Sequence, residues 1–149
     1  MRHRIKQWLA LSHAERGTVM AMMLALPAIS IGLRLFGYVR MRRLVERASA
    51  SQAPRHATVG DIANGENLAE LASIAGRHGP IEATCLRQSL LLYFLLRRRQ
   101  LSPELMIGVR RRGTVFDAHA WVQLGGIALG QHDLAHSALP EQAPHRRTA

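Results

Sequence analysis

A chain of 149 residues, 48 % of them apolar, has the material for one domain with a real core and is not composed like a disordered chain. A single cysteine excludes an internal disulfide and a thiolate zinc framework, and fits a reducing compartment or a lone functional thiol. The formal net charge of +10 points to an acidic partner or to an arginine-rich surface; two Trp, two Tyr and three Phe are too few for a single-stranded nucleic-acid platform, and no helix carries a base-reading motif.

Residues 1–11 are basic and amphipathic. Ser12 followed by Glu15 spells a capping box with Leu11 placed as a hydrophobic staple, which predicts a helix starting near His13. The helix runs into GTVMAMMLALPAISIGL, residues 17–33, with no charge between Arg16 and Arg34. Seventeen residues is the lower edge of a membrane span, Pro27 and Gly32 interrupt it, and the strongly basic stretch 34–47 follows. Two readings stay open: a buried helical hairpin bent at Pro27, and membrane contact through residues 17–33 with arginines at the headgroups. The apolar stretch begins late and lacks the small-residue cleavage site of a secretory signal, so the expected location is cytoplasmic, with membrane association on the second reading.

ERASASQAPRHATVGD, residues 46–61, is small, polar and proline-containing and reads as a linker. Residues 66–76 read as a helix with Leu68, Leu71, Ala72 and Ala75 on one face, stopped by Gly79-Pro80. The next helix opens at Cys85, with Thr84 as its N-cap and Leu86, Leu90, Tyr93 and Phe94 in its apolar stripe; Arg97–Arg99 close it at the end that favours positive charge. After the turn at Ser102-Pro103, strands are predicted at 105–110, 115–124 and 127–130, the last two joined by a Gly125-Gly126 hairpin. The chain thus divides into a basic and apolar helical segment (1–48), a linker (49–61), a core (62–137) and a flexible tail (138–149). Helices followed by an antiparallel meander make the fold class α+β.

Cysteine attacks as the thiolate, and the unpaired N–H groups of a helix start favour negative charge there, which is where Cys85 is placed. His119, in the middle of AHAW on the central strand, is the candidate base. Spacing alone leaves a second reading open, a buried structural cysteine and a surface histidine. Trp121 shares the His119 face by the two-residue period, as a wall against water or as plain core packing. Thr84 and the Cys85 N–H are candidate oxyanion donors. His132 and His136, four apart, lack a third metal ligand, and with His145 they read as tail residues, so no metal is expected. Arg97–Arg99 and Arg110–Arg112 read as solvated ends or as a docking place for an acidic segment.

Three segments in order, CLRQSLLLYFLLRRR, PELMIGVRRR and FDAHAWVQLGG, resemble the lasso-peptide leader peptidases, a bacterial branch of the transglutaminase-like, papain-related cysteine peptidases. The resemblance covers roughly residues 66–134. It implies a Cys-bearing helix packed on a small antiparallel sheet, with Cys85 as nucleophile and His119 as general base and acid. It also implies an acid about a dozen residues after His119 to orient the ring. That register falls on Gln131, with Asp133 two residues later on the same strand face. Asp133 ranks first for the role, then Gln131, then Asp117, two residues before His119.

By the same resemblance the substrate is a ribosomally made precursor peptide, cut ahead of macrolactam formation without a metal or organic cofactor. Some members of that family carry a fused winged-helix recognition module. This chain leaves no segment for one, which implies a separate leader-recognition protein, together with a working contact to a macrolactam synthetase. Two other classes remain: another transglutaminase-like acyl-transfer enzyme, and a non-catalytic basic, membrane-associated binding protein in which Cys85 is structural.

Overall fold

The computed structural model describes residues 11–49, 54–79, 83–112, 115–130 and 137–138, with the side chains of 109–117 and 137–138 excepted. Three helices, α1 (His13–Ala48), α2 (Val59–His78) and α3 (Cys85–Arg98), precede four strands: β1 (Pro103–Arg112), β2 (Val115–Leu124), β3 (Ile127–Leu129) and β4 (Ser137–Ala138). The sheet order is β3-β2-β1-β4, antiparallel throughout. The class is α+β, as the order of helices and strands in the sequence predicts.

α1 starts where the capping box puts it: the Ser12 hydroxyl accepts from the Glu15 N–H at 3.3 Å, and the Glu15 carboxylate accepts from the Ser12 N–H at 2.8 Å. The corner expected at Pro27 is elsewhere. The chain stays helical through Pro27 and leaves helical geometry only at Gly37, with φ 71° and ψ 172°. Proline costs one N–H and crowds the preceding turn, which bends a helix; a change of direction needs a backbone conformation that glycine adopts without strain. Beyond that corner Met41 comes back toward Gly32, where an added Cβ would lie 2.6 Å from the Met41 sulfur. Nine residues of straight helix would hold these two residues about 13.5 Å apart along the axis.

α2 begins at Val59, inside the stretch that reads as linker and seven residues before the expected start. The sequence holds a second capping box, Thr58 and Asp61, and both of its bonds form: the Asp61 N–H donates to the Thr58 hydroxyl at 3.2 Å, and the Thr58 N–H to the Asp61 carboxylate at 2.9 Å. Arg55 fixes the same carboxylate from both nitrogens, at 2.6 and 2.7 Å.

One core joins every layer. Val19, Met22, Leu26 and Val45 of α1 lie in the same buried cluster as Leu68 and Leu71 of α2, Leu90 and Leu96 of α3, and Leu105, Val122 and Leu124 of the sheet. α1 packs on both other helices, and α3 lies on β1 and β2. Two polar links reinforce α1 against α3: Tyr93 donates to Glu46 at 3.3 Å, and the Arg97 Nε–H donates to the buried Ser49 hydroxyl at 3.0 Å. Arg97, which the sequence offers as a solvated end or a docking residue, therefore has a structural partner. Among the described residues α1 is the one helix long and apolar enough to cross a membrane.

The sheet register places the site. Gly125 and Gly126, at φ 60° and 81°, make the tight turn that pairs Leu124 with Ile127. In the β1–β2 ladder Gly108 faces His119 and Met106 faces Trp121. β4, too short to leave a periodic signal, pairs Ala138 with Gly108 on the other edge of β1.

Candidate active site

α1 and α2 each open with a complete capping box; α3 opens without one. Thr84 has the extended backbone of an N-cap (φ −66°, ψ 162°), but its side chain makes no capping hydrogen bond. The residue placed to return a carboxylate is Arg87, which can only donate. The first turn closes through the Arg87 and Gln88 N–H groups on the Thr84 carbonyl, at 3.0 and 3.2 Å. The two N–H groups ahead of them, on Cys85 and Leu86, belong to the part of a helix that has no intrahelical acceptor. The α3 start thus presents donors and the positive end of a dipole beside the only thiol, which is itself partly exposed.

His119 and Trp121 come from one face of β2, and their rings stack with centroids 6.2 Å apart and planes 16° from parallel. Cys85 and His119 both line one pocket of about 190 Å³. The hydroxyl of Ser89, one helical turn past Cys85, donates to the Ala120 carbonyl at 2.9 Å, so the turn bearing the thiol is tied to the residue next to His119. Ala69 and Ala72 of α2 form another wall, and Gly130 closes against it: at φ 65°, an added Cβ would lie 2.8 Å from that of Ala69. A wider groove lined by Glu66, Glu70, Ser73 and Arg77 joins the pocket through shared Ala69, Ser73 and Gly130.

Gln88 lines the same pocket and was not singled out in the sequence, although its place three residues after Cys85 puts it on the thiol's side of the helix. Its amide donates to the Ala83 carbonyl at 2.8 Å, holding the chain just ahead of α3. It passes over Gly76, where an added Cβ would lie 2.4 Å from its nitrogen. Asp133 and Gln131, with His132, His136 and His145, lie outside the described residues. Asp117 stands in β2 opposite Arg110, and only its backbone is described. Among the described residues no three His, Cys, Asp or Glu side chains gather as a metal site.

A helix that opens on a cysteine and shares a pocket with a strand histidine sits inside the stretch, residues 16–140, matched by the family model of the transglutaminase-like superfamily. The chain belongs to the transglutaminase-like superfamily. This superfamily includes cysteine peptidases and acyl-transferases, and cysteine-dependent chemistry is typical of it. The match takes in α1 from Arg16 onward as well as the Cys helix and the sheet. No curated protein and no solved structure matches the sequence.

Proposed function

We propose that this superfamily member is a cysteine peptidase that removes the leader from a ribosomally synthesised precursor of the lasso-peptide kind. The observation that carries the proposal is the shared pocket: a thiol at an uncapped helix start and an imidazole on the neighbouring strand, in a chain whose family works through cysteine. The substrate class rests on the resemblance of the three segments around Cys85, Gly108 and His119. The groove beside the pocket offers room for an extended peptide.

On this reading His119 takes the Cys85 proton, and the thiolate attacks the scissile carbonyl. The N–H groups of the first α3 turn hold the developing oxyanion. His119 returns the proton to the nitrogen as the C–N bond breaks, and the core peptide leaves with a new α-amine. Water, deprotonated by His119, then cleaves the thioester and releases the leader as its acid. Asp133, Gln131 and Asp117 are the candidates for holding the imidazole. The new amine suits a macrolactam synthetase acting next, and a separate recognition protein would deliver the leader.

The test is incubation of the protein with a proteome-derived peptide library, read by mass spectrometry for new N-termini, with hydroxylamine added to trap acyl-enzyme. New α-amines and hydroxamates that vanish in both Cys85→Ala and His119→Ala support the peptidase, with losses of about a thousandfold or more expected. Transfer of acyl groups to added primary amines without free acid would instead mark an acyl-transferase on the same site. Identical product profiles from wild type and Cys85→Ala would leave Cys85 a structural residue and overturn the proposal.

A further inference from the structure

A helix at a domain surface ordinarily turns a polar side to water. α1 does not. Its inner side buries Val19, Met22, Leu26 and Ile29, and its outer side is equally apolar: Met20, Leu24, Ile31 and Leu35 are 51, 76, 56 and 70 % exposed. Those four recur at i, i+4, i+11 and i+15, one line along the helix. Phe36 and Val39 extend the patch around the Gly37 corner, at 48 and 59 % exposure. A helix apolar on every side belongs in a core or in lipid, and a contiguous exposed patch of this kind marks a contact surface.

We infer that the outer face of α1 seats the protein on an anionic lipid bilayer, lying in the headgroup plane rather than crossing it. The inner face excludes crossing, because Leu26 and its neighbours are part of the core that holds α2, α3 and the sheet. Charge selects the surface: residues 34–47 carry five arginines against one glutamate, and Arg34, Arg40, Arg43 and Arg47 are exposed. Basic side chains near an anionic leaflet are drawn to its negative surface potential.

The chemistry of the stripe separates lipid from protein. Protein interfaces carry about one hydrogen bond per 100–200 Å². The side chains of Met20, Leu24, Ile31 and Leu35 offer no nitrogen or oxygen to a partner. A second copy would set arginines against arginines, in a chain of net charge +10.

The full-length protein is sedimented with phosphatidylcholine vesicles made with and without phosphatidylglycerol, and its mass in solution is measured by light scattering. Wild type is expected to be monomeric and to bind the anionic vesicles roughly tenfold or more tightly than the neutral ones. Leu24→Gln combined with Ile31→Gln and Leu35→Gln is expected to lose binding to both by a similar factor. Arg34→Gln combined with Arg40→Gln and Arg43→Gln is expected to lose only the anionic preference. Circular dichroism checks that each variant keeps its helices, and Leu24→Gln alone stands in if the triple variant unfolds. The inference fails if wild type ignores anionic vesicles, or if either set of substitutions leaves binding to anionic vesicles unchanged. It fails equally if the protein resists extraction by alkaline carbonate, as a spanning helix does, or forms a dimer that the apolar substitutions dissociate.

Discussion

Gln100 is the one non-glycine residue with positive φ among the described residues, at 61°. It occupies the left-handed position after α3: its N–H donates to the Arg97 carbonyl at 2.9 Å, and the Leu101 N–H reaches back to the Leu96 carbonyl at 3.2 Å. This is the six-to-one closure that glycine usually supplies, here sealed by contact between buried Leu96 and Leu101. Gln100→Gly is expected to stabilise the protein by about 0.5–1 kcal/mol, the left-handed strain less the entropy of glycine, read as a higher urea midpoint at unchanged slope. Asp61 makes a pH-dependent contribution. The Arg55 guanidinium, then the Thr58 hydroxyl and N–H, hold its carboxyl well below the usual carboxylate range. A carboxyl depressed in the folded state contributes stability that is complete above its unfolded value and lost as pH falls through the folded one. Wild-type Tm should therefore fall between about pH 4 and about pH 2 more steeply than that of Asp61→Asn, which should start lower at neutral pH. Parallel curves for the two proteins would show that Asp61 adds nothing to the acid limb.

Small side chains at i, i+4, i+7 and i+11 of α2, Gly65, Ala69, Ala72 and Gly76, let it close on both the sheet and α3: an added Cβ at Gly65 would lie 2.9 Å from Leu129, and Gly130 packs on Ala69, while Gly76 faces Gln88. Gly76 gives Gln88 its path to the Ala83 carbonyl. Gly76→Ala would set a Cβ 2.4 Å from the amide nitrogen and 2.9 Å from its carbon, so the flexible amide must leave and the chain ahead of Cys85 loses its tether. The expected result is about a tenfold or greater loss of turnover with stability lowered by no more than about 1 kcal/mol; Gly17→Ala, with nothing within 4 Å of the new methyl, is the control and should retain full turnover. Turnover unchanged in Gly76→Ala would remove Gln88 from any positioning role. The sequence carries the elements that have local signals: the first capping box, the leucine stripe of α3, and the Gly-Gly hairpin. It also offers Cys85 and His119 as candidates, through residue type and the segments around them, and the fold brings the two to one pocket. What it conceals is set by tertiary contact. The Thr58 and Asp61 box was legible but sits in a stretch whose polar, proline-containing composition argues for a linker. The corner at Gly37 competes with a more conspicuous proline. The closeness of Gln88 to Gly76 and of Ser89 to Ala120 depends on how two helices and a strand approach each other, which no periodicity reports.

At the scale of the molecule, the decisive question is whether α1 is an appendage or a part of the domain. Val19 and Leu26 are 0 and 1 % exposed, and they share a cluster with Leu90, Leu96 and Leu124. An appended anchor would melt independently of the sheet; a core helix cannot. Leu26→Ala removes three heavy atoms from this cluster and should cost about 2–5 kcal/mol. The measurement is urea unfolding of a Trp8→Phe background, which leaves Trp121 on β2 as the sole tryptophan. Its fluorescence then reports the sheet, while far-ultraviolet circular dichroism is dominated by the helices, 36 residues of which are α1. One cooperative domain requires the two signals to coincide and to shift together in Leu26→Ala, because the cavity opens in a core that both report. A circular-dichroism transition that moves while the fluorescence transition stays would make α1 a separate unit, and the pocket between Cys85 and His119 would then have to be held by α2, α3 and the sheet alone. A shared transition places the outer, arginine-edged face of α1 on the same rigid body as the thiol, so that any surface α1 rests on also fixes the orientation of the pocket.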